Sequence, residues 1–142
     1  MGDLIPLKLK TLKDKPRASG TMTEAQFTTF VKNQLRGASW KWKPVSDVLK
    51  EARTRKGWYH CNGCKNEVTA TIVLNGKRVK NVFVDHEPPV IDPETGFTTW
   101  DSFINRLYCE KDHLQLLCKA CHDTKTAAER FSAKNKKKEL DD

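Results

Sequence analysis

Val82-Phe83-Val84-Asp85-His86 and Leu116-Leu117-Cys118-Lys119-Ala120-Cys121-His122 open and close the segment around which the rest of the chain is arranged. The first is a β-branched and aromatic run ending in Asp-His. The second is an apolar run ending in a Cys-x-x-Cys with a His attached. Upstream, Cys61-Asn62-Gly63-Cys64 supplies a second Cys-x-x-Cys. Paired units of this kind each offer two thiolates to one tetrahedral edge of a metal ion, so Cys61, Cys64, Cys118 and Cys121 are expected to hold a structural zinc. Gly63 is expected to permit the tight turn between the first two sulfurs. Such a site is closed, leaves no position for a substrate, and serves structure rather than chemistry. The bland alternative is two unrelated reduced pairs or a redox pair, but no thioredoxin-like βαβ pattern surrounds them. Lys65 and Lys119 flank the knuckles and offset the negative charge of four thiolates. Cys109, the fifth cysteine, reads as a small apolar residue under a loop.

The chain has 142 residues, enough for one modest domain that a structural metal would help to hold. Lys plus Arg number 26 against 18 Asp plus Glu, a net charge of +8, which suits a polyanionic partner as well as a plain basic protein. There is no apolar signal-peptide core and no run long enough to span a bilayer, so an intracellular, cytoplasmic location with no membrane partner is expected, with thiols available for metal.

Residues 1–20 read as a basic flexible arm carrying Lys8, Lys10, Lys13, Lys15 and Arg17, either a solvated tail or a phosphate-contacting arm. Residues 21–56 read as a helical segment packed on the following domain. One helix covers Thr21–Leu35, with Phe27, Phe30, Val31 and Leu35 at helical spacing and Gly37 ending it. A second covers Pro44–Arg53, with Val45, Val48 and Leu49 inward. Trp40 and Trp42 alternate with lysines; they could stack on bases, although anchoring in the core is the favoured reading. Arg53, Arg55 and Lys56 form a basic link. Residues 57–131 read as the main domain and 132–142 as a charged, frayed tail.

Within the main domain, Val68–Leu74 and Lys77–Asp85 read as strands joined at Asn75-Gly76, the dipeptide favoured in a type I′ turn because both positions need positive φ. The long connection after His86 contains a helix at Thr99–Leu107 with Trp100, Phe103, Ile104 and Leu107 on one face. His113–Leu117 reads as a strand and Cys118–Phe131 as a helix starting in the second knuckle. Antiparallel pairing of the strand ending at Asp85 with this last strand sets His113 across from His86. Cys121 and His122 point about 100° apart around their helix, so His122 faces away from the metal. Asp85, His86, His113 and His122 are thus expected on one side of a β-β-α unit, which gathers three of the chain's four histidines.

Val84-Asp85-His86, the run Leu114 to Thr126 and the Cys61/Cys64 pair together resemble the HNH endonuclease family, the β-β-α-metal nucleases with a four-cysteine zinc frame. The resemblance covers about half the chain. A weaker likeness around Leu35-Arg36-Gly37-Ala38-Ser39-Trp40-Lys41-Trp42-Lys43 is to small bacteriophage HNH proteins. The resemblance implies an α+β fold and a metal-dependent nuclease that hydrolyses phosphodiester bonds of DNA. It implies that Asp85 and His122 bind one catalytic divalent cation (Mg, Mn, Ni or Zn) and that His86 is the general base. His113 stands where the family has an Asn that orients the base. A further family His is replaced by Thr126, so the cation would have two protein ligands. Phosphodiester hydrolysis needs an activated water on one side of phosphorus and charge stabilisation at the leaving oxygen on the other, which this residue set can supply. Lys125 would be near a phosphate or simply solvated. DNA is the implied partner, held mostly through phosphates, with a phage or host protein beside it. The competing expectation is a zinc-stabilised nucleic-acid binding module of the same fold without cleavage, which the departure at His113 keeps in play. A purely structural zinc protein would not need Asp85 or His86.

Overall fold

The computed structural model describes residues 14–141, so Lys8, Lys10 and Lys13 of the basic arm lie outside the described residues. The chain divides into two compact units, Met1–Ala38 and Ser39–Asp142. In the first, helix α1 (Glu24–Ser39) begins at a reciprocal cap. Thr23 Oγ1 accepts from Gln26 N–H at 3.0 Å while Gln26 Oε1 accepts from Thr23 N–H at 2.9 Å. The expected stop at Gly37 is not used; the helix runs through it to Ser39. Arg17 closes on Glu24 at 2.9 Å and lies over the Phe27 ring.

The second unit holds every residue of the expected site and is α+β. Helix α2 (Lys43–Ala52) starts with Pro44 in its first turn, where a missing N–H costs nothing, and buries Val45. Helix α2 therefore belongs to this unit. Strands β1 (Arg53–Arg55), β2 (Trp58–His60) and β3 (Glu67–Thr69) form one antiparallel sheet, so the expected basic link is an edge strand. Strands β4 (Thr71–Leu74) and β5 (Lys77–Lys80) form a hairpin whose turn, Asn75-Gly76, has φ of 52° and 76°. Strands β6 (Val82–His86) and β7 (Leu114–Cys118) pair antiparallel, with Val82 opposite Cys118 and His86 opposite Leu114.

Each of the two long strands expected from the sequence is broken, at Ala70 and at Asn81. Asn81 is buried and explains the change of partner. Its N–H bonds Ala70 O, its side-chain amide bonds Thr69 O, and its backbone O accepts from Lys119 N–H at 2.9 Å. These bonds release β5 from the hairpin and pass the chain into β6 beside the start of helix α4 (Lys119–Asp141). The helix extends well beyond Phe131, so the expected frayed tail is helical through Asp141.

Helix α3 (Trp100–Leu107) is capped by Thr99, which accepts from Ser102 N–H. Phe103 and Leu107 are its fully buried residues, and Phe97, Trp100 and Phe103 form an aromatic cluster. Ile104, expected inward, is exposed. Trp42 takes the packing role: its indole N–H bonds Cys109 O at 2.7 Å and its ring meets Tyr108 edge-on. Trp40 is exposed beneath the Lys80 ammonium. Among the described residues no helix is long and apolar enough to cross a membrane.

Candidate metal centre and catalytic face

The four cysteines of the two knuckles come together at the end of β7, packed around Leu117. Their sulfurs all lie within 4.8 Å of one another. Tetrahedral Zn–S bonds of about 2.3 Å place sulfurs ~3.8 Å apart, so the cluster is of the size that such an ion draws in. Backbone geometry shapes it. Lys65 N–H bonds Cys61 O at 2.9 Å, closing the first knuckle, and Asn62 N–H bonds Leu116 O at 2.8 Å, stitching that knuckle to β7. Cys118 N–H points at Cys61 Sγ, 3.3 Å away. Burial pushes the Cys61 thiol up, but the N–H groups of Cys118, Cys64 and Gly63 outweigh it and hold the group at about 6, ready as a thiolate. Cys121 is driven the other way, to about 12, first by its hydrogen bond with Cys118, then by burial and by Cys61. Four cysteines so placed could bind a structural metal such as zinc.

Gly63 has a different job from the one expected. Its φ is not positive; the left-handed residue of this knuckle is Lys65, at 64°. A Cβ on Gly63 would stand 2.9 Å from both Cβ and Sγ of Cys121, so the glycine allows the two knuckles to touch.

Asp85 lies further along the pair, opposite Gln115. Side chains alternate along β6, which puts Phe83 and Asp85 on the side of α4. The His122 ring stacks on Phe83, with centroids 4.6 Å apart and 14° between planes. Lys125, one turn along the same stripe of α4, reaches Asp85 Oδ2 at 3.0 Å. Asp85 and His122 are thereby brought to one face. His122 Nδ1 is buried and makes no hydrogen bond; the carboxylate of Asp123 stands 3.8 Å off, beyond bonding distance. The Lys119 ammonium, 2.6 Å from Asp123, holds that carboxyl below its ordinary range and therefore ionised. A ring whose Nδ1–H is drawn toward a carboxylate presents Nε2 as its ligand atom.

His86 does not share this face. Its Nε2 lies 2.9 Å from Leu107 O, at the C-terminal end of α3. A carbonyl only accepts, so Nε2 carries the hydrogen, and in the neutral ring the lone pair is on Nδ1. The expected convergence of all four residues on one side is corrected by strand alternation: adjacent residues Asp85 and His86 turn opposite ways. The His86 ring is held through Nε2 by a backbone carbonyl and not by the residue at position 113. His113 sits one residue before β7, in a 3-10 turn spanning Lys111–His113. Its carbonyl accepts from Glu87 N–H at 2.9 Å, while its ring is mostly exposed and 3.8 Å from Asp112.

One participant was missed from the sequence, and another has more partners than expected. Gln115, directly across from Asp85, donates from Nε2 to Asp85 Oδ2 at 3.2 Å and accepts on Oε1 from Asn62 Nδ2 at 2.7 Å. Lys65 Nζ in turn donates to Asn62 Oδ1 at 2.8 Å. An ammonium at one end and a carboxylate at the other fix which way both amides point. Lys125 has more partners than a solvated helix lysine: beyond Asp85, its ammonium meets Glu87 at 3.2 Å, His86 O at 3.2 Å and Glu129. Burial lowers its basicity, but the bonds to Glu129 and Asp85 outweigh that and raise it above the ordinary lysine range.

No protein-family model, curated protein or solved structure matches the chain.

Proposed function

We propose that the chain is a zinc-stapled DNA endonuclease that uses a divalent cation on Asp85 and His122 and His86 as general base. The observation that carries this reading is the His122 imidazole, packed on Phe83 beside the Asp85 face with Nδ1 buried and unbonded. A metal-ligating His commonly turns its other ring N–H toward a carboxylate, and Asp123 stands 3.8 Å from this Nδ1. The two bonds to Asp85 from Gln115 and Lys125 both fall on Oδ2, and the described residues give none to Oδ1, which is the oxygen suited to a cation. A cation there would stabilise charge on the leaving oxygen of a phosphodiester. The divergence of Asp85 and His86 then serves in-line attack. A phosphate lying across the end of β6 would have the carboxylate and His122 on one side and the His86 ring on the other. Nδ1 of His86 would take the proton of the attacking water, with Leu107 O keeping the ring in the required tautomer. The likeness of Val84-Asp85-His86 and Cys118 to Thr126 to the HNH family supports the same roles. His113 would border the base rather than orient it.

A second reading has its own support. Lys125 already neutralises Asp85. An ammonium in that place suits a zinc-stabilised nucleic-acid binding module that needs no catalytic cation. Incubation of the purified protein with plasmid, with and without Mg²⁺, Mn²⁺ or Ni²⁺, separates the two. Cation-dependent nicking or linearisation that Asp85→Ala abolishes supports the nuclease. Retarded but intact plasmid with every cation supports the binder.

A further inference from the structure

The β4–β5 hairpin is not used by any step above. Residues 71–80 carry Lys77, Arg78 and Lys80 and no acid. The foot is fixed: Ile72 and Val79 face each other half-buried, and Asn81 bonds Ala70 and Thr69 below them. The tip projects. Val73 is 64% exposed and Leu74 42%. The last two rungs pair Val73 with Arg78 and Leu74 with Lys77, so each sets one apolar residue beside one cation, on opposite faces of the ribbon. Lys80 is spent within the fold, over the rings of Trp40 and Phe83. Lys77 and Arg78 take no ion pair among the described residues, whereas Arg55, Lys43, Lys111 and Lys119 each do.

A free two-stranded ribbon is marginal in water, and exposing two aliphatic residues at its tip adds to the cost. A partner that accepts both the cations and the methyl groups removes that cost. We infer that the β4–β5 hairpin is an arm that enters a groove of duplex DNA. This rests on the reading of DNA as substrate. The size fits: the three steps between four residues rise about 10 Å at ~3.4 Å each, against a major groove about 8.5 Å deep and ~12 Å wide that admits a two-stranded ribbon. Lys77 and Arg78 would meet the phosphates that line the groove on its two sides, and Val73 and Leu74 would lie against base edges, where thymine offers a methyl group. The chain continues from the hairpin through Asn81 into β6. Five residues at about 3.3 Å span at most ~16 Å from Lys80, at the foot of the arm, to Asp85, so a duplex held by the arm passes within reach of the strand end.

The test is fluorescence anisotropy of a labelled duplex against the full chain without added divalent cation, at salt from about 50 to 200 mM. The parent is compared with Lys77→Gln/Arg78→Gln and with Val73→Ser/Leu74→Ser. Both variants alter only exposed positions, and unchanged circular dichroism and zinc content confirm their fold. The charge variant is expected to bind at least about tenfold more weakly, with a salt slope reduced by ~1.8, or about 0.9 for each lost phosphate contact. The tip variant is expected to keep the slope and lose affinity. A parent that binds duplex while both variants match it in affinity and slope overturns the arm and leaves the endonuclease reading intact. A parent that does not bind duplex even at low salt overturns both. Tighter parental binding to single strands, RNA or anionic vesicles, with the same loss in the variants, overturns the duplex assignment.

Discussion

Gln115 donates to Asp85 at 3.2 Å across the β6–β7 pair, while its own carbonyl is held by Asn62 of the first cysteine knuckle. A proposed cation ligand is thus oriented by a side chain that the first cysteine knuckle positions. Groups that orient a ligand from behind typically change metal affinity or activity by about 10–100-fold when removed. Gln115→Leu is expected to weaken Mn²⁺ binding by that order in calorimetry, without loss of the structural metal. Asn62→Ala, one bond further away, should have the same sign and a smaller size. Unchanged Mn²⁺ affinity in Gln115→Leu, with Asp85→Ala abolishing binding, would show that Asp85 needs no such support.

Gly63→Ala tests the contact between knuckles. The added Cβ, 2.9 Å from Cys121 Cβ and Sγ, forces one of them to move. Zinc should pass to a competing chelator at lower chelator concentration than from the parent, and the melting temperature should fall. Equal retention of zinc would mean that the knuckles are not pressed together.

The cysteines themselves carry a folding prediction. Thiolate binding energy becomes folding energy when the unfolded chain has no preformed site. Cys61 and Cys118 lie in the buried cluster with Leu117, so Cys61→Ser or Cys118→Ser removes a ligand and leaves a hydroxyl in the core. Loss of cooperative melting by circular dichroism is expected, as is unfolding of the parent on strong chelation. A serine variant that melts like the parent with one metal per chain would contradict the four-thiolate assignment.

Much of this was legible in the sequence, for physical reasons. The β-branched run Val82–His86, the apolar run Leu114–Cys118 and the two Cys-x-x-Cys units can meet only if the strands pair, and they do. Asn75-Gly76 marked its turn because both positions require positive φ. The partner switch at Asn81 was hidden, since a lone amide between two strand-like runs does not announce the hydrogen bonds it makes. Leu107 O was invisible because every residue has a carbonyl, and only tertiary structure brings one to His86. Lys125 could be placed near the site by its three-residue spacing from His122. Its gathering of Asp85, Glu87 and Glu129 needed the fold.

Lys125 also gives a pH dependence. Its basicity is raised by Glu129 and Asp85 against the effect of burial, above a reference value of 10.5. A group raised in the folded state contributes stability that is fully present below its unfolded pKa and is lost as pH rises through the folded one. That contribution should be flat through neutral pH and fade only above about 10.5. Lys125→Met should melt lower at neutral pH and lack this part of the alkaline decline. Parallel melting curves for parent and variant from neutral to alkaline pH would show that the ammonium adds nothing.

If His86 removes the proton from the attacking water, its loss shows in the single-turnover cleavage rate of plasmid by His86→Ala, measured beside its affinities for DNA and Mn²⁺. The expected result is a rate lower by about 10²–10⁴-fold, the range for loss of a general base, with both affinities close to the parent's. Cleavage by His86→Ala at the parental rate would contradict it.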